Sequence, residues 1–510
     1  MSPILALSIL LIYFGILIAI SYVTSKGADT NTFFTANKQS PWYLVAFAMI
    51  GTSLSGVTFI SVPGAVGPAM FSYFQLVLGY LVGYVFIALV LLPLYYRLNL
   101  ISIYTYLQKR FGEYSYKTGS AFFLLSRTMG SAVRLYIAAR VLQIAIYDSL
   151  GIPFEVSVFI TIALIWLYTF KGGVKTIIIT DTLQTTFLVT AVVMTIYLIT
   201  SKLGLSMGEM ISTVNDSKYS QIFFWDSLND KKHFLKQFIS GAFIALVMTG
   251  LDQDLMQKNL TCKNLKEAQK NMFSFMTSYT FINLIFLALG ALLYIYGIKE
   301  GIVQENYSGK LPLNILDGSL NEVVAKKTDD LYPMLAIKHF GIDGSLAGLL
   351  VSITFLIGIT AATYASSDSA LTALTTSFCI DFMNVENKTE SQRSKIKHWV
   401  HIGFSVLFYI VILFFNKLNS QEVIAAIFKI ASYTYGPLLG LFVFGLYTKR
   451  KVNDKLVPIF CILAPVVTYL IVTYIETNTA YRFVSENLII NGGLIFLAMF
   501  ITSKKSEEVL

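Results

Sequence analysis

An all-α, polytopic membrane protein with about thirteen transmembrane helices is the fold class this sequence predicts, and three observations predict it. Of 510 residues, 55% are hydrophobic and only 13% charged, with a mean hydropathy of +0.66; soluble chains carry about 25% charged residues. Stretch after stretch reaches the ~20 apolar residues that cross ~30 Å of hydrocarbon, and one large soluble core of this composition would leave apolar patches in water. Lys and Arg also collect in alternate connections, the pattern of a chain that crosses repeatedly.

The spans follow in order. The first, 3–24, has no Lys or Arg before its apolar run from Pro3 to Val23. It lacks the basic leader of a signal peptide and is too long for one, so it is expected to be a retained helix. The second, 42–66, contains Gly51-Thr52-Ser53-Leu54-Ser55-Gly56, then Thr58, Ser61, Pro63 and Gly64. Inside hydrocarbon, irregular backbone is tolerated only around a cavity or within protein. Small hydroxyl residues with Gly and Pro mark a helix that unwinds mid-membrane, where freed carbonyls suit a small hard cation. The competing reading is close packing through small residues. The third span is 71–96. The fourth, 119–146, carries Arg127, Arg134 and Arg140. Arg127 is placed to snorkel to the inner surface. Arg134, near the middle, offers a guanidinium fork to a carboxylate, whether a solute's or that of Asp368.

The fifth span, 154–170, leads into Tyr168-Thr169-Phe170-Lys171-Gly172-Gly173-Val174-Lys175, a sharp turn without phosphate-loop spacing. The sixth, 176–201, begins with Thr180-Asp181-Thr182-Leu183-Gln184; Asp181 either caps the helix or ligates an ion. The seventh, 233–250, runs into Thr249-Gly250-Leu251-Asp252-Gln253-Asp254, a second broken helix or the end of the span. The eighth is 272–297. The ninth, 344–376, holds Ala362, Ala365, Ser366, Ser367, Asp368, Ser369 and Thr372. Ala362, Ser366 and Ser369 share one face. Asp368 beside that face is a costly carboxylate whose default partner is a cation or proton; an arginine partner is the competing reading. Spans at 398–416, 421–447, 455–476 and 482–502 complete the chain. Spans two and seven open successive blocks of five, so two interrupted helices in corresponding positions point to an inverted repeat.

Orientation follows from the connections. One set holds 22 Lys and Arg, among them Lys258, Lys263, Lys266 and Lys270 after the seventh span and Lys388, Arg393, Lys395 and Lys397 before the tenth. The opposite set has two long connections, 202–232 and 298–343, where acids balance or exceed bases, and short ones with only Lys417 and Arg482. The first set is expected to be cytoplasmic, with the N-terminus outside and the C-terminus inside. The formal charge of +9 belongs to these loops and does not imply nucleic acid. Residues Asn321 to Ile337 have the pattern of a short surface helix. Three cysteines and four scattered histidines form no disulfide framework, metal cluster or catalytic constellation. No enzyme activity and no cofactor are expected.

Four features in this order and spacing resemble the sodium:solute symporter family. They are the Tyr168-Thr169 and Gly172-Gly173 turn followed by Thr180-Asp181, the Gly51-to-Ser55 run, Asp252-Gln253 with Gln257 and Lys258, and the small-residue run ending at Asp381. The resemblance covers nearly the whole chain. It implies a LeuT-like fold of five plus five inverted-repeat helices, with one extra helix before and two after. The chain 1–510 would then be a single transporter domain with core repeats at about 42–201 and 233–447. It implies a sodium site from Gly51 and Leu54 with Ala362, Ala365 and Ser366, although Ala365 stands where the family usually has a hydroxyl. A possible second cation site matches Asp181, Asp368 and Ser369. Ser53, Ser55 and Thr58 match substrate-facing hydroxyls, and Arg134 matches an arginine that holds a substrate carboxylate. The glutamine expected on the third span falls at Val77, with Gln75 close by.

The function implied is sodium-coupled import of a small organic solute, carboxylate-bearing like an acidic sugar, by alternating access. Its place would be a bacterial plasma (inner) membrane. The partners implied are sodium, the solute and the lipid bilayer, with no obligate protein partner. The alternatives are a proton-coupled transporter or a membrane sensor of the same fold; the short tail after Lys504 is expected to leave no room for a sensor's kinase.

Overall fold

Each expected span coincides with a helical segment of the computed structural model, which describes residues 3–303, 313–316, 322–325, 328–341, 344–418 and 421–505. In chain order these are α1 (Pro3–Thr24), the pair α2 (Trp42–Ser53) and α3 (Gly56–Ala69), and α4 (Tyr73–Phe86, continued helically to Arg97). Then come α5 (Glu113–Leu142), α6 (Phe154–Thr169), α7 (Val174–Leu203), the pair α8 (Phe234–Ala245, with a π turn to Gly250) and α9 (Gln253–Asn259), and α10 (Leu265–Lys299). The chain finishes with α11 (Leu346–Asp381), α12 (Glu390–Leu418), α13 (Gln421–Tyr447), α14 (Val457–Asn478) and α15 (Asn487–Thr502). Among the described residues, seven single helices are long and apolar enough to cross a membrane, and the two bent pairs, at 65° and 69°, each pass as one broken span.

Two long unbroken helices, α7 and α11, lie against each other, and α2 packs on both. α1 is docked on this centre: Ser21 Oγ donates to Tyr168 O at 2.6 Å, and Gln184 Nε2 donates to Tyr13 OH at 3.1 Å. α4 and α8 approach closely because both carry glycine at the crossing. A Cβ on Gly241 would stand 3.0 Å from Leu76 C and 3.1 Å from Gly79 Cα. Gly241→Val is therefore expected to destabilise by about 1–3 kcal/mol through overpacking, read as a lower melting temperature in detergent.

Proline shapes α3. Pro68 lacks the N–H that would bond Gly64 O, and Tyr294 OH from α10 takes that carbonyl instead at 2.7 Å. The segment expected as a surface helix over Asn321–Ile337 is different. Strands Leu313–Leu316 and Glu322–Ala325 pair antiparallel, and helical turns begin only at Thr328. Asn321 lies outside the described residues. The turns pack against α3 and bury Leu331, Tyr332 and Leu335, because apolar residues in that stretch find an apolar helix beneath them.

Two lysines counted among the loop residues are also not on the surface. Lys397 is buried in α12 with its ammonium 4.7 Å above the Phe33 ring. Lys258 is buried in α9. Short connections place α9 and the start of α12 within the protein rather than beyond it.

Candidate functional site

The break between α2 and α3 follows from local chemistry. Leu54 adopts φ −88°, ψ 86°, and Ser55 is extended at φ −71°, ψ 164°. Ser55 caps α3: its hydroxyl accepts Thr58 N–H at 3.3 Å and lies 3.1 Å from Thr58 Oγ1. The helical ladder of α2 ends with Leu54 N–H to Ile50 O at 2.9 Å. The carbonyl of Gly51, which Ser55 N–H would take in a continuous helix, is thereby released. So is that of Leu54, whose helical donor, Thr58 N–H, goes to the cap. The two carbonyls that the resemblance implied are thus among those the break frees, together with those of Thr52 and Ser53. Removing the cap by Ser55→Ala is expected to cost about 1 kcal/mol, a small drop in melting temperature in detergent.

Gly51 faces the two central helices. A Cβ there would meet Thr185 Oγ1, lie 3.3 Å from Asp181 O, and lie 3.6 Å from Ala365 Cβ. Ala362, Ala365 and Ser366 sit in the unbroken, buried middle of α11. The Ser366 and Ser367 hydroxyls both bond Thr363 O, at 3.0 and 2.8 Å. The structure thus brings Gly51 beside Ala365, with the serine hydroxyls turned onto their own helix.

The α8/α9 junction resolves the open reading of the seventh span: the helix is broken, at Leu251 (φ −109°) and Asp252 (φ −110°, ψ 123°). Its freed carbonyls are satisfied by tyrosines, Tyr95 OH to Gly250 O at 2.8 Å and Tyr104 OH to Leu251 O at 3.0 Å. Asp252 caps α9, accepting Asp254 N–H at 2.9 Å. All seven residues of α9 are buried. Gln253 exchanges bonds with Ile103 N–H (2.9 Å) and Ile101 O (2.8 Å). Gln257 donates to Phe34 O at 2.7 Å and Thr376 Oγ1 at 2.9 Å.

A buried charge cluster joins four helices. Lys258 Nζ contacts both Asp181 Oδ2 and Thr52 Oγ1. The same carboxylate oxygen accepts Thr52 Oγ1 at 2.9 Å and Ser369 Oγ at 3.2 Å. Asp181 does not cap α7, which starts at Val174 two turns earlier. Asp368, one residue before Ser369, turns to α6 instead: Tyr168 OH donates to its Oδ2 at 2.7 Å and Ser369 N–H to its Oδ1 at 2.5 Å. It pairs with no arginine among the described residues. The sequence pointed to Asp181, Asp368 and Ser369 as a cation site; Lys258 entered it only as a basic loop residue and as part of the family-like stretch from Asp252, with no role in that site.

The arginines of α5 part company. Arg127 does not snorkel; it is buried, in contact with Asp254 Oδ2 and 3.7 Å from Asp252 Oδ2. Asp252 Oδ2 also accepts Tyr435 OH from α13 at 2.9 Å. Arg140 lies 5.9 Å above the Phe154 ring. Arg134 is half-buried and makes no hydrogen bond or ion pair among the described residues. Around it are Arg127, Tyr435, Asp252 and Tyr279. The Ser131 and Ser53 hydroxyls are likewise buried without partners among the described residues. Gln75 is not free for a solute: it is buried, donates to Lys232 O at 2.8 Å and accepts Phe224 N–H at 3.2 Å, tying α4 to the 221–233 connection.

The model of the sodium:solute symporter family matches residues 33–455. The sodium/sialic acid symporter NanT of Aliivibrio fischeri is 23% identical over 98% of this chain and 94% of its own. The sodium/sialic acid symporter SiaT of Proteus mirabilis is 22% identical over 84% of this chain and 82% of its own. A mouse sodium-coupled monocarboxylate transporter 2 is 24% identical over 82% of this chain and 64% of its own. Among solved structures, a Na+-coupled sialic acid symporter in a substrate-bound, outward-open state superposes with TM-score 0.78, at 18% identity, covering 98% of this chain and 99% of the other.

Proposed function

This chain belongs to the sodium:solute symporter family, and from that premise we propose that it imports a small carboxylate-bearing solute, an acidic sugar such as sialic acid, together with sodium. It is a multi-pass membrane transporter with a LeuT-like fold, not an enzyme. The observation that carries the carboxylate reading is Arg134. A guanidinium inside a span is expensive unless paired, and Arg134 has no pair among the described residues while Arg127, two turns earlier, is held by Asp254 with Asp252 close by. A solute carboxylate supplies the missing anion in bidentate geometry. Unpartnered Ser53 and Ser131 hydroxyls, with Ser55 and Thr58 at the break, offer polar contacts to the rest of the solute.

Sodium binds the released carbonyls of Gly51 and Leu54 and the facing α11 residues Ala362, Ala365 and Ser366. Holding both elements, it favours the arrangement that accepts solute. Basic connections face the cytoplasm, with the N-terminus outside and the C-terminus inside a plasma membrane. A tenfold sodium gradient contributes about 1.4 kcal/mol, and a potential adds about 2.3 kcal/mol per 100 mV for each net charge moved. One sodium with a neutral solute then sustains a gradient of several hundredfold, roughly, at ~100 mV. A monoanionic solute cancels the charge term.

The test is uptake by proteoliposomes with an imposed sodium gradient, using labelled sialic acid, pyruvate, proline and glucose. Accumulation of an acid above equilibrium, only with sodium, is the expected result. Arg134→Ala is expected to lower the initial uptake rate at low solute concentration about 100-fold, the value of two charge-assisted hydrogen bonds, while surface Arg393→Ala leaves it unchanged. Equilibration without accumulation, or indifference to sodium, would refute the symport reading.

A further inference from the structure

We infer that the ammonium of Lys258 is a resident cation standing where a second sodium would bind beside Asp181, so that this protein takes up one sodium per cycle. The inference rests on the sodium-symport reading above and sharpens its stoichiometry. It starts from the surroundings of Lys258. Its Nζ contacts Asp181 Oδ2 of α7 and Thr52 Oγ1 of α2, and Ser369 Oγ of α11 bonds the same carboxylate oxygen at 3.2 Å. Thr52 and Ser369 hydroxyls stand 3.4 Å apart. A carboxylate and two hydroxyls converging from three helices are the kind of oxygen set that holds a dehydrated monovalent cation. Here the protein's own fourth element, α9, delivers that cation.

Lys258 cannot readily withdraw. It is 1% exposed. Gln253 and Gln257 fix α9 on both sides, through Ile101 and Ile103, and through Phe34 and Thr376. Moving the ammonium into water means extracting the half-helix that carries it. The charges then count to one sodium. Asp181 and Asp368 bring two negative charges, Lys258 one positive, and all three are buried. One sodium at the Gly51 and Ala365 set, whose Gly51 lies against the Asp181 carbonyl, makes the whole neutral. A second sodium would leave it with an uncompensated positive charge, which a low-dielectric interior does not tolerate.

The experiment is equilibrium binding of radiolabelled sodium to the purified full-length protein in detergent. One sodium per chain is expected for the wild type and for Lys258→Arg, and two for Lys258→Gln, whose smaller neutral side chain vacates the place at Asp181. Two sodium ions on the wild type would overturn this inference and leave symport standing. So would a folded Lys258→Gln that still binds one. No sodium on the wild type would remove the symport reading and this inference with it. The wild-type count decides even if Lys258→Gln does not fold.

Discussion

Replacing Arg127 by alanine is expected to destabilise the protein by about 3–5 kcal/mol, the usual cost of breaking a buried ion pair from one side. The cost arises from what stays behind. Asp252 and Asp254 are both buried and lie on the two sides of one peptide pair at the α8/α9 break. Asp252 would keep Tyr435 OH at 2.9 Å, but the Asp254 side chain would lose the one cation in contact with it among the described residues. The loss is large against a total stability of about 5–15 kcal/mol, so little folded protein should survive extraction in detergent. Size-exclusion chromatography after heating measures it. The double variant Arg127→Leu/Asp254→Leu removes both charges and is expected to recover more than half of the loss, since a neutral, volume-filling replacement carries no stranded ion. If Arg127→Ala melts within ~0.5 kcal/mol of the wild type, a range typical of surface changes, Arg127 does not anchor the broken span.

The span pattern was legible because it depends on composition averaged over about twenty residues, and averaging survives local exceptions. The first break was legible for a different reason. Gly51, Ser53, Ser55 and Gly56 weaken a helix by their own chemistry, so the signal sits in one short stretch. The second break was half legible: Gly250 is the weakest helix former there, and Asp252 and Asp254 look equally like residues reaching water. What settles it is Tyr95, Tyr104, Gln253 and Arg127, contacts spanning more than a hundred residues of chain. Lys258 shows the limit most clearly. A lysine followed by three more within twelve residues reads as a loop under the charge-asymmetry rule. Its burial depends on Thr52, Asp181 and Ser369 arriving from three other helices, and nothing near it in sequence announces them. The same holds for Gln75, whose partners lie in the 221–233 connection.

The second large effect concerns that cluster, and its asymmetry is the informative part. Lys258→Met removes the only positive charge near Asp181 and Asp368 among the described residues and leaves two buried carboxylates served by hydroxyls and one backbone N–H. A cost of about 3–5 kcal/mol is expected in sodium-free buffer. Asp181→Asn leaves one carboxylate, Asp368, still within electrostatic reach of Lys258. The pair is balanced and the amide keeps hydrogen-bonding capacity, so a smaller cost of about 1–3 kcal/mol is expected. Sodium separates the two variants further. A ligand that binds only the folded state at about 100 times its dissociation constant adds about 2.7 kcal/mol. With one bound sodium the wild type gains that once, whereas Lys258→Met, with the ammonium's place open, gains it twice. Melting temperatures therefore should rise with sodium about twice as far in Lys258→Met as in wild type, and hardly at all in Asp181→Asn, where Asp368 and Lys258 already balance without an ion. Equal rises in all three would mean that Lys258 braces the helices without standing in for an ion. Equal losses in sodium-free buffer would mean that the charge of Asp368 is not felt at Lys258, and the balance of charges that links the two aspartates, the lysine and one sodium would fail with it.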